Sequence, residues 1–132
     1  MMMAGLAVGS AFMLMWPSIR RSMPGGTPEV GTAESVQMIN RRDAIVLDLR
    51  SKEDFGAARI PNSRNIPIAE LDGRVREIEK FKSRPLIVNL NPGARATAVH
   101  AQLTKLGFTQ VFALRGGLRA WLEAGLPVEK DA

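Results

Sequence analysis

The residues best placed for chemistry form a short segment, Leu90-Asn91-Pro92-Gly93-Ala94-Arg95, between the apolar run Leu86-Ile87-Val88 and a helical pattern that starts at Arg95. A tight loop between a strand and a helix can turn backbone N–H groups toward an anion, and the helix dipole adds to that attraction. Arg95 at the helix start is electrostatically unfavourable unless an anion or carboxylate compensates it, so the loop is a candidate anion site. What it lacks is a nucleophile. The 132 residues contain no cysteine and one histidine, His100. Disulfides, zinc-thiolate sites and thiolate or persulfide chemistry by this chain are thereby excluded, and no metal centre or cofactor is expected. With no nucleophile to serve, His100 is expected to be a bystander on the helix after the loop. Asp48 and Arg50, at the end of the apolar run Ala44-Ile45-Val46-Leu47, carry opposite charges two positions apart. They are expected to tie a strand end to neighbouring loops rather than to hold a ligand.

The elements that position these residues alternate. Thr32 is placed to cap a first helix, with Glu34 in its first turn and Val36 and Ile39 one turn apart. Ala44–Leu47 has the character of a buried strand. Ser51-Lys52-Glu53-Asp54 starts a short capped helix that ends near Gly56. An extended piece at Asn65-Ile66 precedes Pro67, and a helix is expected from Ala69 to Ile78. Leu86–Val88 is a second buried strand. In the helix from Arg95 to Leu106, Val99, Leu103 and Leu106 share an apolar face, and Gly107 supplies the stop. Val111-Phe112-Ala113 is a further strand, and Arg115-Gly116-Gly117 turns into a last helix that carries Trp121, expected in the core, and ends at Gly125. Short apolar runs alternating with helices specify an α/β fold, a parallel sheet covered by helices on both faces. Such sheets place their sites at the carboxyl ends of the strands, here the loop after Val88.

Ahead of this domain, residues 1–19 hold no charged side chain. As a helix they would span roughly 28 Å, close to the hydrocarbon core of a bilayer. Trp16 closes the run, Pro17 breaks it, and Arg20 and Arg21 follow at once. With no basic residue before the run, the positive-inside rule orients it as a single-pass transmembrane helix, amino terminus outside and domain in the cytoplasm. The pattern of a cleavable signal peptide is missing. Residues 20–31 have linker composition, with Glu29-Val30 able to begin an edge strand, and residues 32–132 form the domain. Gly5 and Gly9 make a small-residue stripe on the apolar segment, which suits close packing against an integral-membrane protein partner or a second copy of the same helix. Lysine and arginine number 18 against 13 acids, a formal charge of +5. Arg74, Arg76, Lys80, Lys82 and Arg84 alternate with Asp72, Glu77 and Glu79, a solvated mixed-charge face, so no nucleic-acid partner is expected.

Taken in order, several motifs resemble the rhodanese-like domain family. Leu47-Asp48-Leu49-Arg50 is similar to its first signature, a strand ending in Asp-x-Arg. Glu53-Asp54-Phe55, Ile60-Pro61 and Asn65-Ile66-Pro67 resemble its second block. Leu106-Gly107-Phe108, Leu114-x-Gly116-Gly117 and Ala120-Trp121 resemble the closing one. The likeness covers about one hundred residues, from Thr32 to Val128. It implies a rhodanese-like parallel sheet flanked by helices, and it sets Val88 to Arg95 on the family's active-site loop. Catalytic members have Cys-x-x-Gly-x-Arg there. Gly93 and Arg95 fit, so the cysteine position falls on Leu90, and Ala58-Arg59 stands where the family has Gly-His. Pro92 further removes one loop N–H. The chain thus resembles the membrane-anchored, single-domain bacterial members, in a form without the catalytic cysteine. It is expected at the cytoplasmic membrane of a bacterium as a non-catalytic binding or regulatory module. The alternative is a sulfurtransferase-type subunit whose reactive cysteine comes from a partner.

The topology has a direct test. Protease added to intact spheroplasts is expected to leave the domain uncut; digestion there would show the reverse orientation.

Overall fold

Apolar runs too short for helices become the centre of a sheet. The computed structural model of the chain describes residues 28–91 and 95–131. Strands β1 (Glu29–Val30), β2 (Ile45–Asp48), β3 (Arg64–Asn65), β4 (Leu86–Asn89) and β5 (Val111–Leu114) form one five-stranded sheet in the order β1-β5-β4-β2-β3. All neighbours pair in parallel, Ile45 opposite Leu86 and Leu86 opposite Val111 at the start of the central strands. Helices α1 (Thr32–Arg42), α2 (Lys52–Ala57), α3 (Leu71–Arg74), α4 (Ala96–Lys105) and α5 (Gly117–Glu123) make the connections.

Because side chains alternate along a strand, each continuous apolar run feeds both faces. Leu47, Leu86, Val88 and Val111 enter one cluster with Leu71 of α3, Val99 and Leu103 of α4, and Ile78, Phe81 and Phe108. Val46, Ile87 and Phe112 enter a second cluster with Val30, Met38 of α1 and Trp121 of α5. The α/β architecture read from the sequence is therefore the one found, a parallel sheet with a helix layer on each face. Glu29-Val30 is indeed an edge strand, so the end of the linker segment belongs to the sheet. The expected transmembrane helix, the Gly5/Gly9 stripe and the rest of the segment ahead of Pro28 lie outside the described residues. Among the described residues no helix is long and apolar enough to cross a membrane.

Local details differ in two places. Thr32 does not cap the first helix but is its first residue. The cap position is Gly31, directly after β1, and its carbonyl accepts from the Ser35 N–H at 2.9 Å and the Ser35 hydroxyl at 2.8 Å. The helix expected over 69–78 is broken into a 3-10 turn at Ile68–Glu70, one α-turn at Leu71–Arg74, and 3-10 turns at Val75–Glu77 and Glu79–Phe81. Gly73 weakens a helix there. Leu71, Ile78 and Phe81 must all reach the same cluster, which a wrapping chain achieves. Elsewhere the local chemistry holds: the Ser51 hydroxyl caps α2 by accepting from the Asp54 N–H at 3.1 Å.

Leu103 is fully buried between α4 and the sheet. Leu103→Ala is expected to lower unfolding stability by about 2–5 kcal/mol with an unchanged denaturant slope, measured by urea titration.

Candidate functional site

The carboxyl end of β2 carries a buried ion pair. Asp48 has no exposed surface and Arg50 is 8% exposed. Asp48 Oδ1 accepts from the Arg50 backbone N–H at 3.0 Å and from its Nε at 2.9 Å; Oδ2 accepts from Nη2 at 2.7 Å. Arg50 Nη2 also donates to the carbonyl of Ala58 at 2.7 Å, beyond the end of α2. From β4, Asn89 Nδ2 donates to Asp48 Oδ2 at 3.1 Å. From β3, Asn65 Nδ2 donates to the carbonyls of Asp48 and Arg50, each at 3.0 Å. The pair thus ties three strand ends and one helix exit together, the structural role expected for it. Two uncompensated charges would not stay buried here; the hydrogen bonds make the burial tolerable.

The loop that follows β4 starts on this network. Asn89 is fully buried, and with Nδ2 spent on Asp48 its Oδ1 has no hydrogen-bond partner among the described residues. Gly117 lies against it. A Cβ at Gly117 would sit 3.1 Å from Asn89 Oδ1 and 3.1 Å from the Leu90 carbonyl oxygen, and the backbone there has φ +57°, so the position requires glycine. Gly116, also at positive φ, completes the turn into α5. Leu90 is half-buried and packs against the cluster that holds Leu47, Val88 and Val99. Asn91 is exposed, and Arg95 is exposed at the amino end of α4. Pro92, Gly93 and Ala94 lie outside the described residues. His100 is half-buried on α4. Trp121 is packed in the second cluster, with its Nε1 donating to the Pro127 carbonyl at 2.7 Å, so its role is core packing, as expected.

The structure therefore joins Asp48, Arg50 and Gly117 around Asn89. The contributions of Asn89 and Asn65 were missed from the sequence. An amide closing an apolar strand run was the available signal, since a buried Asn must find partners. Beside the network, an open cleft of about 410 Å³ is lined by Lys52, Phe55, Asn65, Glu70, Arg74 and Asp131. Its charges largely answer one another. Arg74 pairs with Glu70 at 3.1 Å and Glu77 at 2.7 Å, and Asp131 with Arg59 at 2.8 Å. The hydrogen bond from Arg74 holds the Glu77 carboxyl below its usual range. Among the described residues no three His, Cys, Asp or Glu side chains gather as a metal site. Chemically, the side chains at 89–91 are two amides and a leucine, none of which is a nucleophile.

The model of the rhodanese-like domain matches residues 32–124. The uncharacterized protein YibN of Escherichia coli K12 is 35% identical over 109 residues, covering 82% of this chain and 76% of that protein. A sulfurtransferase of Allochromatium vinosum is 30% identical over 94 residues, 71% of this chain and 86% of that one. Among solved structures, a rhodanese-related protein of Thermoplasma volcanium superposes with a TM-score of 0.67 at 29% identity, over 77% of this chain and 97% of that one.

Removing one partner of the buried pair strands the other. Asp48→Asn is expected to cost about 3–5 kcal/mol in urea unfolding, whereas Asp48→Leu combined with Arg50→Met should recover only part of that loss, because Asn89 Nδ2 and the Ala58 carbonyl lose their partners.

Proposed function

This chain belongs to the rhodanese-like domain family, and from that premise we propose that it is a membrane-tethered binding or regulatory module with no sulfur transfer of its own. The observation that carries the reading is Leu90. It stands where catalytic relatives have their cysteine, its side chain packs on the core beneath the loop, and no thiol exists anywhere in the 132 residues to replace it. A persulfide carrier needs a thiolate at the loop, and neither flanking amide can become one. The scaffold around the loop remains built, through Asp48, Arg50, Asn89 and Gly117. A kept scaffold without its reacting atom suits recognition.

The sequence supports the tether. The uncharged stretch 1–19 followed by Arg20 and Arg21 holds the domain on the cytoplasmic side of a bacterial inner membrane. A short linker then raises the domain's effective concentration toward other membrane proteins, so weak contacts suffice. The partner is an integral-membrane protein met along the Gly5/Gly9 face, with the loop Leu90 to Arg95 as a second contact. Self-association of the helix uses the same face. The second reading, a subunit completed by a partner's cysteine, draws support from relatives named sulfurtransferase.

A thiosulfate:cyanide assay separates the two. The purified chain should give no thiocyanate above a heat-denatured control, alone or with detergent-solubilised membranes. Turnover that appears only with membranes would favour the second reading. Leu90→Cys should take up sulfur from thiosulfate but turn over weakly, because Pro92 leaves the loop one N–H short.

A further inference from the structure

The formal charge of +5 is not spread evenly over the fold. All strands are parallel, so the sheet has two distinct ends and the connections are sorted between them. Around the carboxyl end, charges are largely paired: Asp48 with Arg50, Glu29 with Arg115, and Arg74 with Glu70 and Glu77. The amino end differs. There α1 finishes in Arg41 and Arg42, α4 finishes in Lys105, and the turn before β4 brings Lys80, Lys82 and Arg84. The acids on these connections are Asp43 and Glu79.

Helix dipoles account for Arg41, Arg42 and Lys105, since cations suit helix carboxyl ends. They do not account for the turn before β4. Phe81, 5% exposed, holds Arg64 at 4.9 Å, Arg84 at 5.0 Å and Lys80 at 5.2 Å from its ring centre. Arg84 is fixed further by donating to the Asp43 carbonyl at 2.8 Å. Among the described residues no salt bridge reaches Arg64, Lys80, Lys82 or Arg84. Attraction to one ring gathers these cations. The nearby acids, among them Glu77 facing Arg64, offset their mutual repulsion in part, and an external anionic surface or salt relieves it further.

The place where the chain ahead of the domain joins it selects the surface. β1 runs parallel to the rest with Glu29 opposite Ala113, in the carboxyl half of β5, so the chain enters β1 at Pro28 from the direction of this end of the sheet. The step from Arg21 to Pro28 is seven residues, at most about 25 Å of chain in any conformation. We propose that the amino end of the sheet, around Lys80, Lys82 and Arg84 with the Arg64 guanidinium reaching in from mid-sheet beside Phe81, is a docking face for an anionic lipid bilayer. The inference rests on the membrane-tethered reading above. It adds an orientation: the carboxyl end of β4, where Leu90 and Asn91 follow, is at the opposite end of the sheet and faces away from the lipid. That end then meets a cytoplasmic portion of a partner and not its membrane-embedded part.

The test uses the full chain reconstituted in nanodiscs of phosphatidylcholine, with or without phosphatidylglycerol, and mass-spectrometric readout of lysine acetylation. Co-elution with both discs reports the tether. Lys80 and Lys82 should then react at least about fivefold more slowly in the anionic discs, the factor that one basic residue near such a surface contributes. Lys52, at the start of α2, should react equally in both, and high salt should abolish the difference. Arg64→Gln with Arg84→Gln should retain co-elution and lose the protection of Lys80 and Lys82. Equal reactivity of these lysines in the two discs, with the chain present in both, overturns the docking face and leaves the tether standing. Co-elution with anionic discs alone overturns the tether and keeps the face; co-elution with neither overturns both. Duplex DNA that protects the same lysines in the presence of anionic discs would assign the face to nucleic acid and overturn the proposal.

Discussion

A carboxylate and a guanidinium with almost no access to water sit where three strand ends meet, and that burial constrains everything around them. Asp48 accepts from Arg50 and Asn89, Arg50 reaches the Ala58 carbonyl, and Asn65 closes over both backbone carbonyls. Each partner comes from a different stretch of chain, so the pair is satisfied only when β2, β3, β4 and the exit of α2 are all in register. The loop after β4 inherits its starting point from this arrangement, because Asn89 is both its stem and a ligand of Asp48. Gly117 then seals the stem from the β5 side, where even a methyl group would press on Asn89 and Leu90.

That machinery would serve a thiol-bearing loop equally well, and here it supports one in a chain without cysteine. Scaffold and chemistry are separable in such folds: the network fixes where a loop is presented, and a single atom at its tip decides whether sulfur can be carried. Leu90 is half-buried and packs against the cluster of Leu47, Val88 and Val99, so the first side chain after β4 is part of the packing. The Oδ1 of Asn89 is a buried acceptor without a partner among the described residues, held in place by its own donor group's bond to Asp48.

Parallel topology also sorts charge. The helices Thr32–Arg42 and Ala96–Lys105 return from the carboxyl end of one strand to the amino end of another, so their carboxyl termini and the cations that favour them, Arg41, Arg42 and Lys105, collect at the amino end of the sheet. A linear series of alternating charges from Asp72 to Arg84 reads as a mixed face, yet the fold divides it. Arg74 is absorbed by Glu70 and Glu77, while Lys80 and Arg84 turn to Phe81 and join Arg64 from the edge strand.

The fold was legible because its cause is local. Runs such as Ile45–Leu47 and Leu86–Val88 are too short and too apolar for anything but buried strands, and the motifs from Asp48 to Trp121 lie in the family's order. The absence of a thiol is likewise a property of composition, and no folding can alter it. The sequence also marked Asp48 and Arg50 as a structural pair. It did not show that Asn89 and Asn65 complete that pair, that the chain from Ile68 to Phe81 wraps in short turns, or that Leu90 faces the core. Those depend on contacts between residues far apart in the chain, such as Asn89 and Asp48, whose partners become neighbours only when the strands align. Local propensity carries no record of that alignment. Burial decides it, because every polar group taken from water must find its partner within the fold.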